Sequence, residues 1–310
     1  MKTRPFKQVD VFTATPYFGN PLAVVLDGSD LSTEDMQRFA QWTNLSETTF
    51  VLPPSSAAKA AGADYRVRIF TPGGELPFAG HPTLGTCHAW LQAGGQRQDS
   101  KFVTQESQIG PVNIRRDGER LAFGAPPLKR SSPSPTLLAQ VAAALGLKAQ
   151  QIVAAQLLDN GPMWLGLLLD SQNTVLQIQP NHVEIKNLGQ KIGVVSVEQP
   201  QSSSPLIARS NREARAFRTT EKVEFGDDTP TVEVRAFAAS IGINEDPVTG
   251  SLNASLAQWL IADGLAPARY AAAQGTCMGR AGRVHIEQDV AGQVWVGGKS
   301  VTCVDGTVNL

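Results

Sequence analysis

The sequence predicts an α+β protein made of two similar lobes with a ligand site between them, and three observations carry that prediction. Short strand-like runs rich in Val, Ile and Phe recur along the chain with few helical patterns between them, which disfavours a doubly wound parallel sheet. One strand–loop–helix unit occurs twice, once in each half. A polar, Pro-rich stretch, APPLKRSSPSP from Ala125 to Pro135, separates the copies, so the expected lobes are 1–128 and 129–310.

Taken in order, the predicted strands of the first half are FKQVDVFT, PLAVVLD, TTFVL, YRVRIFT, KFVTQES, PVNIRR and RLAFG. Asp117-Gly118 is expected to turn PVNIRR back onto RLAFG, and Gly297-Gly298 to separate VWV from KSVTCV. Ser32 precedes TEDMQRFAQW, whose Met36, Phe39 and Ala40 share one helical face, with Asp35 in the first turn. Ser134-Pro135 opens TLLAQVAAAL, which Gly146 closes. Two further helices are expected, one from Pro82 and one from Gly250, each at the end of an unusual loop.

Those two helices belong to the repeated unit. Arg68-Ile-Phe70 leads through a Gly/Pro loop to His81-Pro82, Thr83 and a helix containing Trp90-Leu91. Arg235-Ala-Phe237 leads through a loop to Asp246-Pro247, Thr249 and a helix containing Trp259-Leu260. The two tryptophans read as core anchors of their helices. Two such lobes would face each other across a cleft, a usual place for a ligand.

Composition narrows the function. A chain of 310 residues, 42% apolar and 18% charged, can bury a full core. Its net charge of -1 and pI near 6.4, without a Lys/Arg run, argue against nucleic acid as a partner. The N-terminal residues show no apolar leader and no run has the length of a bilayer span, so a soluble cytoplasmic protein without membrane contact is expected. Cys87, Cys277 and Cys303 form no CxxC pair and are expected to be reduced thiols. His81, His88, His182 and His285 form no ligand motif, so no metal is expected. His88 and His285 read as structural, and Arg280, between glycines, suits either a substrate anion or a backbone carbonyl.

Each repeated unit points a helix N-terminus at the expected cleft, where free N–H groups and the macrodipole favour an anion such as a substrate carboxylate. Gly80 and Gly250 would admit a ligand close to the backbone, and the hydroxyl of Ser251 follows. Ordinary capping by Asp246 or Thr249, with Pro247 in a first turn, is the alternative reading. Glu47, in NLSETTFVL, is either a solvated turn residue or, if it points into a dry cleft, a carboxyl group tuned to exchange a proton near neutrality.

In the same order over nearly the whole chain, VDVFTATPYFGNPLAVV, NLSETTF, IFTPGGELPFAGHPTLG, GINEDPVTGS and QGTCMGRAGRVHI resemble the phenazine-biosynthesis PhzF-like family. That family is related to diaminopimelate epimerase, and the resemblance implies two lobes, each a curved mixed sheet wrapped round a central helix. It implies that Glu47 is the general acid/base, that His81 and Asp246 contact and orient the substrate, and that Gly80 and Ser251 line a carboxylate pocket. Asn20 would lie on a loop facing the same cleft. The implied reaction is a cofactor-free hydrogen shift, as in the isomerisation of dihydro-3-hydroxyanthranilate, on a small carboxylated, cyclic or amino-bearing metabolite. A homodimer is implied as well.

Departures from the relatives bear on chemistry. Neither AGHPT nor EDPVTGS carries the thiol that the epimerases place at each helix start, which disfavours a two-thiol racemase. Many relatives continue EDPVTGS with Ala-His where this chain has Leu252-Asn253, so its substrate is expected to differ. The tract from Asn181 to Arg218 matches no motif and reads as an insertion, a pocket wall or surface. Two other functions stay open on the sequence: a catalytically silent binding protein of the same fold, and a racemase or epimerase with a non-cysteine base pair, His81 being the motif-borne partner for Glu47.

Overall fold

A computed structural model describes residues 1–99, 101–198 and 229–310. The first half runs β1 (Thr3–Val11), β2 (Asn20–Val25), α1 (Thr33–Thr43), β3 (Glu47–Leu52), α2 (Ser56–Ala60), β4 (Tyr65–Thr71), β5 (Gly74–Leu76), α3 (Gly80–Gln92), β6 (Phe102–Ser107), β7 (Gly110–Asp117) and β8 (Arg120–Gly124). A linking strand β9 (Lys129–Ser131) and helix α4 (Pro135–Leu145) follow. The second half runs β10 (Ile152–Asp159), β11 (Met163–Leu169), α5 (Gln172–Gln177), α6 (His182–Leu188), β12 (Ile192–Val197), β13 (Val232–Ala238), β14 (Ile243–Asp246), α7 (Gly250–Ala262), β15 (Arg269–Gln274), β16 (Gly282–Gln288), β17 (Val294–Gly298) and β18 (Ser300–Asn309).

The two halves repeat pairing for pairing. β1–β2 is antiparallel, β2–β3 parallel, β3–β4 and β4–β5 antiparallel, β4–β6 parallel, and β6–β7 and β7–β8 antiparallel. The same sequence of pairings joins β10 to β17 in the second half. The halves join where β8 pairs antiparallel with β17, Phe123 opposite Val296. The linking strand β9 pairs with β10, and β18 crosses back to pair with β1.

A helix threads each half. α3 touches β1, β2, β3, β6 and β8, which one sheet can do only by curling round it, and α7 touches β10, β16 and β17 in the same way. Burial on every face marks both as central helices: Leu84, Thr86, Cys87 and Ala89 of α3 and Leu252, Ala254, Leu256, Trp259 and Leu260 of α7 are all buried. By contrast α1 is amphipathic and buries only Met36, Phe39 and Ala40, the face its sequence predicts. Trp259 is fully buried, and Trp90 packs against Tyr65 with ring centroids 5.0 Å apart, so both tryptophans anchor the core.

Several local expectations need adjustment. Helix α3 begins at Gly80, two residues ahead of Pro82, because His81-Pro82 fits a first turn where Pro lacks only an N–H that has no helical partner. The β7–β8 turn is Gly118-Glu119, with Gly118 at φ 58°. Gly297 and Gly298 lie inside β17 and not in a turn. A Cβ on Gly297 would stand 2.7 Å from the Cβ of Ala122, so the glycine permits β8 to approach across the seam. The first part of the tract from Asn181 is no insertion: it forms α6, capped by Asn181, and β12, a strand of the repeated framework. NREARAFR lies outside the described residues.

Candidate active site at the meeting of two helix N-termini

α3 and α7, each thirteen residues long, start against each other. A Cβ on Gly250 would lie 3.1 Å from Cα of Gly80 and 3.2 Å from N of His81, so any larger residue there would have to push the two helix starts apart. The approach of the helices accounts for Gly250, and the ring of Phe123, 2.5 Å from a Cβ on Gly80, accounts for Gly80. Capping distinguishes these helices from the rest. Ser32, Ser55, Ser134, Ser171 and Asn181 each accept a backbone N–H at the start of α1, α2, α4, α5 and α6. Ala79 and Thr249, the cap residues of α3 and α7, make no side-chain cap. Two sets of free N–H groups and two positive dipole ends therefore converge on one place, a setting for an anion.

The expected side chains gather there from both halves. Glu47 opens β3 beside Leu22 of β2, and Asn20 opens β2. His81 lies in the first turn of α3, and Asp246 ends β14 ahead of α7. Nδ2 of Asn20 donates to Oδ1 of Asp246 and to the carbonyl of Val248, both at 2.9 Å, bridging the halves. Nδ1 of His81 is 3.4 Å from Oε2 of Glu47. Ser251 is held farther along α7, its hydroxyl accepting from Nε1 of Trp164 at 3.2 Å and its carbonyl from Nδ2 of Asn160 at 2.9 Å. Among the described residues, Oε2 of Glu47, Nε2 of His81, Oδ1 of Asn20 and Oδ1 of Asn160 are buried without a hydrogen-bond partner. Each such atom calls for a partner from outside the chain, such as water or a ligand.

Burial sets the proton states. Loss of solvent raises the Glu47 carboxyl to about 8, and the nearby charge of Asp246 pushes the same way. Burial raises Asp246 only to about 6, because hydrogen bonds from Thr249 and Asn20 favour its ionised form. Burial lowers His81 to about 3 against a hydrogen bond to the Pro21 backbone. These shifts favour the acid form of Glu47 and the neutral imidazole of His81 near neutrality, and leave Asp246 the more readily ionised of the two carboxyl groups. The contact between His81 and Glu47 is accordingly one between uncharged groups.

The site lacks symmetry where chemistry would need it. Leu22 opposes Glu47 in the first half, and the matching ladder of the second half sets Leu165 opposite Ile192. The Glu47 carboxyl group therefore has no counterpart at the matching place of the second half. Cys87 is fully buried within α3, which pushes its thiol up to about 12, and exposed Cys277 lies in a short turn with Sγ 3.4 Å from the carbonyl of Leu176. Among the described residues no three His, Cys, Asp or Glu side chains are grouped to hold a metal.

Other expectations resolve on geometry. Arg280 donates to the carbonyl of Tyr17 at 2.6 Å, the backbone option of its two readings. Nε2 of His88 lies 3.2 Å from Oγ1 of Thr302. Asn253 does not act directly as a pocket group: its amide donates to the carbonyl of Thr249 and to Oε1 of Gln274. The repeated arginines matter for framing, since Arg68 grips Glu75 through two bonds of 2.7 Å and Arg235 grips Glu245 through two of 2.9 Å. Their acidic partners, like Gln274, were missed on the sequence, and Thr249 was read there only as a cap. Each lies inside a motif already noted, ELPFAGHPT, INEDPVTGS or QGT, so position in the motif was the available signal. A cavity of about 370 Å³ lies on the outer face of the β8–β17 seam, lined by Arg115, Ala122, His285 and Trp295 among others, and none of the junction residues lines it.

Comparison with known proteins agrees with this architecture. The sequence model of the phenazine biosynthesis-like protein family matches residues 9–306. The chain is 35% identical over 320 residues to Antisense-enhancing sequence 1 of Schizosaccharomyces pombe, covering 99% of each chain. It is 31% identical over 316 residues to the trans-2,3-dihydro-3-hydroxyanthranilate isomerase of Pseudomonas aeruginosa, covering 97% of this chain and 98% of that protein. Among solved structures, the phenazine biosynthesis protein of the PhzF family from Bacillus anthracis superposes with a TM-score of 0.78 at 22% identity over the full length of both chains. A hydroxyproline epimerase from Agrobacterium vitis shares the fold at a TM-score of 0.56 and 13% identity, covering 99% of this chain and 92% of that one.

Proposed function

This chain belongs to the phenazine biosynthesis-like family, and on that premise we propose that it is an isomerase that moves a hydrogen between two carbons of a small carboxylate, using Glu47 and no cofactor. The observation that carries the reading is the buried carboxyl group of Glu47, raised to about 8, beside two uncapped helix N-termini. A carboxyl so placed takes a proton in its ionised form and returns it in its acid form, with a proton affinity near the working pH. The helix N-termini and the backbone N–H groups at Gly80, Gly250 and Ser251 would hold the substrate carboxylate. The same fixed dipoles would stabilise the negative charge that develops when the carbon loses its proton.

His81 and Asp246 orient the substrate in this reading. Neutral His81 offers its unpartnered Nε2 to a polar substituent, while Asp246, ionised, suits an amino group or hydroxyl. Glu47 has no counterpart in the second half, where Ile192 stands at the matching place, and a single carboxyl that both takes and returns the proton suits a shift. The substrate would be cyclic or amino-bearing; trans-2,3-dihydro-3-hydroxyanthranilate, the compound in the name of the P. aeruginosa relative, is the first to try. Solvent deuterium incorporation and product formation, followed over that compound and a panel of cyclic amino and hydroxy acids, test the reading. Turnover by the wild type that disappears in Glu47→Gln with ligand binding retained supports it. Undiminished turnover in Glu47→Gln removes Glu47 from the chemistry.

A further inference from the structure

We propose that Gln274 and Asn253 are positioning residues that act through Thr249 to fix Asp246 as the ionised member of the Asp246–Glu47 pair. The argument rests on hydrogen-bond direction. The Thr249 backbone N–H, which can only donate, lies 3.0 Å from one end of the Gln274 amide, so that end is the oxygen. The carbonyl of Asp246, which can only accept, lies 3.1 Å from the other end, so that end is the nitrogen. Two immovable backbone groups thus settle the orientation of Gln274. Asn253 adds a second donor to the same oxygen at 2.8 Å, and its own orientation is settled by the carbonyl of Thr249 at 2.9 Å.

The consequence passes outward. Nε2 of Gln274 donates to Oγ1 of Thr249 at 2.9 Å, so the single proton of that hydroxyl is left for Oδ2 of Asp246 at 2.6 Å. Oδ1 of Asp246 receives Nδ2 of Asn20, whose direction the carbonyl of Val248 fixes. Both carboxylate oxygens therefore face donors, an arrangement that favours the anion and opposes its protonation. Gln274, Asn253 and Thr249 are each at least nine-tenths buried, so water competes little with this relay.

The titratable groups on the elements packed round Asp246 are Glu47 on β3 and His81 on α3. On the paired strand β13, Arg235 is taken up by Glu245, and Glu233 by Thr276 and Gln172. With Asp246 held negative, its charge raises the proton affinity of Glu47, which keeps its proton. The role assigned to that proton rests on the function proposed above; the relay itself does not.

Carboxyl ¹³C NMR titration of the full chain without ligand tests it, with Asp246→Asn and Glu47→Gln assigning the two signals. Gln274→Met and Thr249→Val should each raise the Asp246 midpoint by about one unit. Asn253→Leu should raise it by less, and Thr249→Ser should stay at the wild-type value. An unchanged midpoint in folded Gln274→Met or in folded Thr249→Val overturns the proposal, and if Gln274→Met does not fold, an unchanged midpoint in Asn253→Leu does so. Because no substrate is present, a shifted midpoint together with a fully active Glu47→Gln would keep the relay and discard the proposed chemistry. A silent Glu47→Gln with an unmoved midpoint would do the reverse.

Discussion

Nδ1 of His81 lies 3.4 Å from Oε2 of Glu47, and the two make no ion pair, because burial keeps the imidazole neutral and the carboxyl protonated. A histidine beside a carboxylate on a protein surface would share charge with it. Here the His81 and Glu47 side chains keep only 5% and 15% of their exposure, and the loss of water favours the uncharged form of each.

If Glu47 is the proton carrier, Glu47→Gln should lower kcat/KM by roughly 100- to 10,000-fold, the usual contribution of a positioned acid/base group. In the wild type, kcat/KM should rise about tenfold per pH unit below the Glu47 midpoint and level off above about 8, since the free enzyme must ionise Glu47 to abstract a proton. A profile flat from pH 6 to 9 would exclude this base.

Stability should carry the same signature with a definite sign. The folded Glu47 carboxyl holds its proton up to about 8, whereas the unfolded one releases it near 4.5. Between those values the folded state binds more protons, so Glu47 contributes a loss of stability as pH rises through that window. Glu47→Gln removes this loss and should melt higher than wild type at pH 8.5, by an amount equivalent to about 1–3 kcal/mol. Equal melting temperatures at pH 8.5, measured by calorimetry, would contradict the burial of a charge there.

Gly250→Ala separates helix propensity from close approach. In an exposed helix the change would stabilise by about 1 kcal/mol. Here the new methyl group meets the backbone of Gly80 and His81, so the variant should be destabilised by about 1–3 kcal/mol in urea unfolding. It should also lose activity, because the two helix starts must separate. A stabilised, active Gly250→Ala would refute that tight junction.

The repeated arginine pairs allow an internal comparison. Arg235 and Glu245 are 4% and 12% exposed, Arg68 and Glu75 16% and 19%. Arg235→Met strands the more deeply buried acid and should cost about 3–5 kcal/mol, and Arg68→Met about 1–3 kcal/mol. The reverse order in denaturant melts would show that the burial difference does not govern the pairs.

Cysteine chemistry is open to a direct check. Cys87→Ala should leave kcat within about twofold of wild type while costing about 1–2 kcal/mol of stability, the effect expected of a small buried side chain. Cys277→Ser should change neither quantity measurably. Loss of turnover in either variant would restore a thiol to the mechanism.

The strand runs, the α1 face and the duplicated unit were legible in the sequence because each rests on local periodicity or turn chemistry. Glu47, His81 and Asp246 were legible through their motifs, and the structure brings them together from separate elements. What neighbours do was not legible. Gly250 read as room for a ligand, but only tertiary structure sets it against Gly80. Gly297 and Gly298 read as a turn, but the approach of β8 keeps them in a strand. Thr249 read as an ordinary cap, yet its hydroxyl is claimed by Asp246. The sequence by itself determined which segments form strands and helices, because those choices are made over a few residues. Tertiary structure decided which carboxyl keeps the proton, because desolvation and hydrogen-bond direction depend on groups brought together from distant parts of the chain.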